Sequence, residues 1–166
     1  MATRWGICGS GKIAHDFVVA LQSLPESQHQ VVAVAARSLE SATKFAQEHR
    51  IPRAYGSYEN LAGDEGVDVV YVATVNTTHL QCSLQMIEAK KPVLCEKSLT
   101  MNAKDTATLI KAARDRGVLL MEGIWMRFFP AILKLKSMIN EGAIGQVKYV
   151  SASLGISRPD AVERQQ

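Results

Sequence analysis

Gly9-Ser10-Gly11-Lys12-Ile13-Ala14 spells GxGxxA, set between a strand-like run at residues 5–8 and a segment in which Ile13, Phe17, Leu21 and Leu24 recur at helical spacing. Pro25 closes that helix. Glycines at this junction allow a tight turn and let a pyrophosphate approach the backbone, while the unpaired N–H groups opening the helix face its charge. Six such residues alone are a weak signal, with a plain tight turn as the competing reading. At the start of a strand–turn–helix unit they predict dinucleotide binding by Gly9, Gly11, Lys12 and Ile13.

The rest of the chain repeats the alternation. Residues 31–36 are continuously apolar and largely β-branched, as a strand buried on both faces must be, and residues 39–49 return to helical spacing through Ala42, Phe45 and Ala46. Residues 52–58 carry turn formers around a short strand, 59–62 make a brief helix, and 67–74 are the most strand-like run. Thr77 or Thr78 is placed to cap a helix running to about residue 89, and 92–96 form the next strand. Asn102 with Asp105 three residues on makes a variant capping box for a helix to Arg116, which Gly117 ends. Residues 118–122 read as a strand, 130–140 as an amphipathic helix and 146–154 as a last strand. Strands alternating with helices in this way predict an α/β fold, a Rossmann-like doubly wound parallel sheet with right-handed crossovers.

Of the 166 residues, 47% are hydrophobic and 21% charged, which suits a globular chain rather than a disordered one. Nineteen basic residues against sixteen acidic ones leave a net charge of +3, and the basic residues are scattered, which argues against nucleic acid as a partner. No run of about eighteen apolar residues occurs to span a membrane, and residues 1–24 lack the features of a secretory signal. A cytoplasmic location is expected. Cys8, Cys82 and Cys95 are odd in number without a CxxC, and His15, His29, His49 and His79 form no zinc-like spacing with them, so free thiols and no metal are expected.

Nicotinamide enzymes that take NAD, and methyltransferases with a similar loop, place an acidic residue at the end of the second strand to hold ribose hydroxyls. Here that place reads Ala36-Arg37-Ser38. Guanidinium with a neighbouring hydroxyl suits a 2′-phosphate, which favours NADP and disfavours S-adenosylmethionine. The competing reading is a solvated arginine at a strand end.

Cys95-Glu96-Lys97 after the fifth strand, with Thr74 and Asn76 to His79 after the fourth, resembles the glucose-fructose oxidoreductase, or Gfo/Idh/MocA, family. Residues 5–6, 29–37, 45–56, 93–97 and 121–130, the last carrying Trp125, Arg127, Phe128 and Phe129, are similar to one branch of that family, with likeness reaching about Gly155. The resemblance implies a homodimeric, NADP-dependent oxidoreductase acting on small molecules, namely trans-dihydrodiols of aromatic hydrocarbons and D-xylose at its anomeric hydroxyl. It implies Lys97 as the catalytic residue, also orienting the nicotinamide, and Thr74, Asn76, His79, Tyr71 and Glu96 at the cofactor crevice with Arg37 and Ser38. Trp125 and Phe128 wall a substrate pocket in this reading. The bland alternatives are a surface lysine paired by Glu96, a histidine satisfied by backbone, a core tyrosine and an aromatic core cluster.

Two departures stand out. The family's Glu-Lys-Pro reads Glu96-Lys97-Ser98, and the family continues beyond the length of this chain into a second, sheet-rich domain. Residues 1–124 are expected as the NADP-binding domain and 125–166 as the incomplete beginning of an α+β substrate and dimerisation domain. Residues 146–154 would be its first strand, and the polar tail from Ser157 to Gln166 is not expected to replace the remainder. A non-catalytic NADP-binding module lacking the substrate domain is the alternative reading, with the dimer interface missing.

Overall fold

The apolar runs become strands of one sheet. In the computed structural model, which describes residues 1–155, these are β1 (Thr3–Cys8), β2 (His29–Ala35), β3 (Arg53–Tyr55), β4 (Val69–Val72), β5 (Val93–Cys95) and β6 (Leu120–Glu122). Their order is β3-β2-β1-β4-β5-β6 and every neighbouring pair is parallel. The chain therefore works outward from β1 in one direction and from β4 in the other, which opens a crevice at the carboxyl ends of β1 and β4. The connecting helices are α1 (Lys12–Gln22), α2 (Leu39–His49), α3 (Tyr58–Ala62), α4 (His79–Glu88) and α5 (Ala103–Arg116).

Alternate strand residues go to opposite faces. Ile7, Val34, Tyr71 and Ala73 pack with Ala14 and Val18 of α1 and Phe45 and Ala46 of α2. Cys8, Ala33, Ala35, Val70 and Val72 pack on the other side with residues of α3, α4 and α5, including Leu61, Met86 and Leu109. Both faces are thus covered by helices, which is why these strands read as unbroken apolar runs rather than alternating ones. The buried stripe of α1 is Ala14, Val18 and Leu21, with Phe17 packed partly against the same core, so of the expected face Leu21 and Phe17 face inward while Ile13 and Leu24 do not. Ile13 is 40% exposed because it sits at the mouth of the crevice.

Caps explain the helix boundaries. Ser38 Oγ accepts from Ser41 N at 3.2 Å, and Asn102 Oδ1 accepts from Asp105 N at 2.9 Å, so the variant box forms. The expected cap of α4 does not form: residues Asn76–Thr78 are a 3-10 turn, and the Thr78 hydroxyl turns back onto the preceding loop, with Val75 O and Thr74 Oγ1 both at 2.9 Å, and makes no bond to a helix N–H.

At the amino ends of β1 and β4, the Asp68 carboxylate accepts from Arg4 N at 2.8 Å, Nε at 3.0 Å and Nη2 at 2.6 Å. The Arg4 guanidinium holds this carboxyl at about 2 rather than the ordinary 3.8. A carboxyl lowered on folding adds stability above its unfolded value and loses it as pH falls through the folded one. Both side chains are 40% exposed or more, so solvent screening keeps the effect small. Arg4→Gln should therefore flatten the decline in urea-unfolding midpoint between about pH 4 and about pH 2, and an unchanged slope would remove the pair from the acid response.

The chain divides into two units, Met1–Ile124 and another that begins at Trp125. The second contains a 3-10 turn (Trp125–Phe128) and α6 (Pro130–Asn140), which opens on a proline at a first-turn position where the missing N–H costs nothing. Trp125 meets Phe129 edge-on at 5.2 Å. Residues 146–154 were expected as a strand, but carry no strand pairing among the described residues and are exposed throughout. A strand exists only through ladder bonds to a neighbour, and none is made here. The expectation for Ser157 to Gln166 lies outside the described residues.

Candidate dinucleotide site

The turn after β1 is built on two glycines with different duties. Gly9 has φ +114°, and its N donates to Ala35 O at 2.8 Å. A Cβ at Gly9 would lie 2.8 Å from Ala73 O and 3.0 Å from Ala73 C, so the turn presses directly on the end of β4. Gly11 is the residue before α1, in extended backbone, and a Cβ there would meet no protein atom within 4 Å. Its bareness keeps space open rather than letting chain segments touch. Among the described residues, no side chain caps α1 and no acidic residue lies in its first turn. The first helical N–H groups thus lack intrahelical partners and face the crevice mouth with the positive end of the helix.

This turn lines a cavity of about 480 Å³ together with Arg37, Tyr58, Thr74 and Thr78. Arg37 is exposed just beyond β2, and no carboxylate of the described residues forms an ion pair with it. It also lines an adjoining cavity of about 530 Å³ over α3 and α4. Ser38, expected beside Arg37 as a phosphate ligand, is committed instead to capping α2, its hydroxyl donating to Ser41 Oγ at 2.9 Å. Ser41 lines the crevice in its place. Lys12 sends its ammonium to Asp16 at 3.4 Å, which leaves its backbone N–H as the group at the helix start.

Tyr58, which the sequence reading missed, lies across from the glycine turn. Burial, reinforced by the neighbouring Cys8 and Cys82, pushes its phenol up to about 12, although Arg37 pulls the other way. It is a neutral hydroxyl beside a permanent cation. Its local sequence, at the first turn of a five-residue helix, carries no sign of this role; only the β3-β2-β1 order brings α3 to the crevice.

Three of the expected crevice residues turn inward. Tyr71 is 2% exposed, with its ring stacked on Phe17 at a 3.8 Å centroid separation and its hydroxyl donating to Glu96 Oε1 at 2.6 Å. Burial, aided by the Glu96 carboxylate, pushes this phenol far above its ordinary range, so it remains a donor. Glu96 accepts from Lys97 N at 3.1 Å through its other oxygen and is 8% exposed. It therefore fastens the residue after β5 to β4, and the ammonium of Lys97 makes no ion pair among the described residues. His79 is 1% exposed, with Nδ1 2.8 Å from Ser98 O and Nε2 3.0 Å from Thr74 O. Both ring nitrogens face backbone carbonyls, so the buried His79 bridges the turn after β4 and the turn after β5.

Lys97 is exposed immediately beyond β5, at the carboxyl edge of the sheet, with a cis peptide bond to Ser98. Glu122, at the end of β6 and unforeseen, steadies the same turn by accepting from Leu99 N at 2.8 Å. Thr74 and Asn76 lie on the turn after β4, Thr74 half-buried and Asn76 exposed. Trp125 and Phe128 belong to the second unit, where they are 60% and 58% exposed.

A glycine turn pressed onto β4, a bare helix start and an exposed arginine after β2 define a dinucleotide-binding domain. Residues 3–124 match the Gfo/Idh/MocA model, described as an oxidoreductase family with an NAD-binding Rossmann fold, and the chain belongs to that family. It is 56% identical to a trans-1,2-dihydrobenzene-1,2-diol dehydrogenase of Danio rerio over 99% of this chain and 50% of the relative. The chain spans about half the length of the curated relatives it matches. Among solved structures, an NAD binding oxidoreductase from Klebsiella pneumoniae superposes with a TM-score of 0.81 at 30% identity, over 87% of this chain and 40% of that one. A 3-ketoreductase from Actinomadura kijaniata solved with NADP gives 0.78 at 31% identity, over 88% of this chain and 46% of that one.

Proposed function

We propose that this chain carries the cofactor domain of an NADP-dependent oxidoreductase that oxidises a secondary hydroxyl, of the trans-dihydrodiol and D-xylose dehydrogenase type. The observation that carries the reading is Arg37, exposed and without an ion-pair partner among the described residues, in the cavity that the glycine turn lines. The residues fit the cofactor: the space beside Gly11 and the open N–H groups of α1 suit a pyrophosphate, and Arg37 suits a 2′-phosphate. When bound, NADP supplies the hydride acceptor. Tyr58 and Ser41 offer neutral hydroxyls in the same cavity as Arg37. Lys97 is the proposed catalytic group, holding or taking the hydroxyl proton of the substrate at Nζ while Glu96 and His79 fix the turn that carries it.

The Danio rerio relative, a trans-1,2-dihydrobenzene-1,2-diol dehydrogenase, supports the dihydrodiol class for this chain, and the family resemblance supports D-xylose and a homodimeric assembly. No helix among the described residues is long and apolar enough to cross a membrane. The three buried free cysteines support the cytoplasmic location that the proposal includes. In an assay of NADPH formation from a benzene trans-dihydrodiol or D-xylose, Lys97→Met should lower kcat by at least about a hundredfold. Its NADP affinity should stay within about threefold, since Lys97 lies outside the glycine turn. Undiminished turnover would remove Lys97 from the chemistry.

A further inference from the structure

On the sheet face covered by α1 and α2, three side chains from those helices converge on one point. His15 Nδ1 lies 3.1 Å from His49 Nε2 and 3.3 Å from Glu48 Oε1, and His49 Nε2 lies 3.8 Å from the same oxygen. These are two imidazole nitrogens and a carboxylate oxygen, the donor set that zinc takes in many sites. An ion holding ligands at about 2.0 to 2.2 Å in tetrahedral array separates them from one another by roughly 3.4 Å. The three measured separations straddle that value. With one N–H between the rings a single donor faces two acceptors, the other ring nitrogen and the carboxylate oxygen, whereas one cation at their centre takes a lone pair from all three.

The surroundings hold the group in place. His49 is 5% exposed, its ring packs on Phe45 with centroids 4.4 Å apart, and its carbonyl accepts from Gln22 Nε2 at 2.7 Å. His15 and Glu48 keep side chains 44% and 54% exposed, which gives an ion a route in and leaves room for a water as fourth ligand. Because residue 15 stands more than thirty positions before residues 48 and 49, no short-range spacing marks the group. Only the packing of α1 beside α2 assembles it.

We propose that His15, Glu48 and His49 form a site for Zn²⁺ or a similar borderline divalent transition ion, with one coordination position open to water. The ion pins the middle of α1 to the end of α2, and the site is independent of the cofactor reading.

The test is a titration of the purified full chain, stripped with a chelator, by Zn²⁺ in competition with a chromophoric chelator. One equivalent should bind with a Kd of about 10 µM or tighter, and the ion should raise the thermal midpoint, since it binds the folded state alone. His15→Ala should weaken binding at least about tenfold and abolish the stabilisation, and Glu48→Gln should also weaken it. Glu48 is exposed, so the second variant gives a reading even where the first fails to fold. Co²⁺ should give a spectrum without thiolate charge transfer. Absence of stoichiometric binding, undiminished affinity in the variants, or a thiolate band assigning the ion to the cysteines would overturn the site.

Discussion

Gly9→Ala should cost about 4 kcal/mol of stability and lower the thermal midpoint by about 10 °C, or prevent folding outright. Two effects add. The backbone at Gly9 has φ +114°, a region that an L side chain rarely adopts. The new Cβ would also lie 2.8 Å from Ala73 O, and Ala73 cannot withdraw cheaply because its N is bonded to Cys8 O at 2.8 Å, extending the β1–β4 pairing. Displacing the carbonyl would strain the two central strands on which both cores rest. A loss of that size is a large part of the usual margin of about 5 to 15 kcal/mol. Thermal unfolding followed by circular dichroism checks it, and a midpoint within about 2 °C of wild type would show that the turn is not pressed onto β4 as described.

Gly11→Ala, two positions along the same motif, should do the opposite. Its backbone is extended, and no protein atom lies within 4 Å of the added methyl, so the fold should survive with only the few tenths of a kcal/mol lost when alanine replaces glycine at a helix start. The methyl enters the space that a pyrophosphate must occupy to reach the N–H groups of α1. NADPH affinity should fall at least about thirtyfold, which corresponds to about 2 kcal/mol. Binding measured by calorimetry beside the thermal midpoint separates the two quantities. Undiminished affinity would move the phosphates away from this turn, and a large loss of stability would mean that the open space at Gly11 is needed by the chain itself.

The core layout was legible because a parallel sheet covered on both faces demands continuous apolar runs, and those at residues 31–36 and 69–73 mark two of the four inner strands. What periodicity does not give is phase at a crowded junction. In α1 the expected Leu21 and Phe17 do face the core, but Ile13 is drawn to the crevice mouth and Ala14 and Val18 take the inner positions. Ser38 was expected at the phosphate from its place in the chain, yet it caps α2 through Ser41. Tyr71 and His79, expected at the crevice from the resemblance, are buried against Glu96 and Ser98, 25 and 19 residues away and beyond any local pattern. Tyr58 and Glu122 were missed for the converse reason: their local sequence is ordinary, and only strand order brings them to the site.

The most direct test of the cofactor assignment is a fluorescence titration of the purified chain with NADPH and with NADH, repeated on Arg37→Ala. An exposed guanidinium beside neutral hydroxyls predicts at least about tenfold tighter binding of NADPH by the wild type, with the preference lost in the variant. Equal affinity for the two nucleotides, or a preference for NADPH that survives Arg37→Ala, would contradict it.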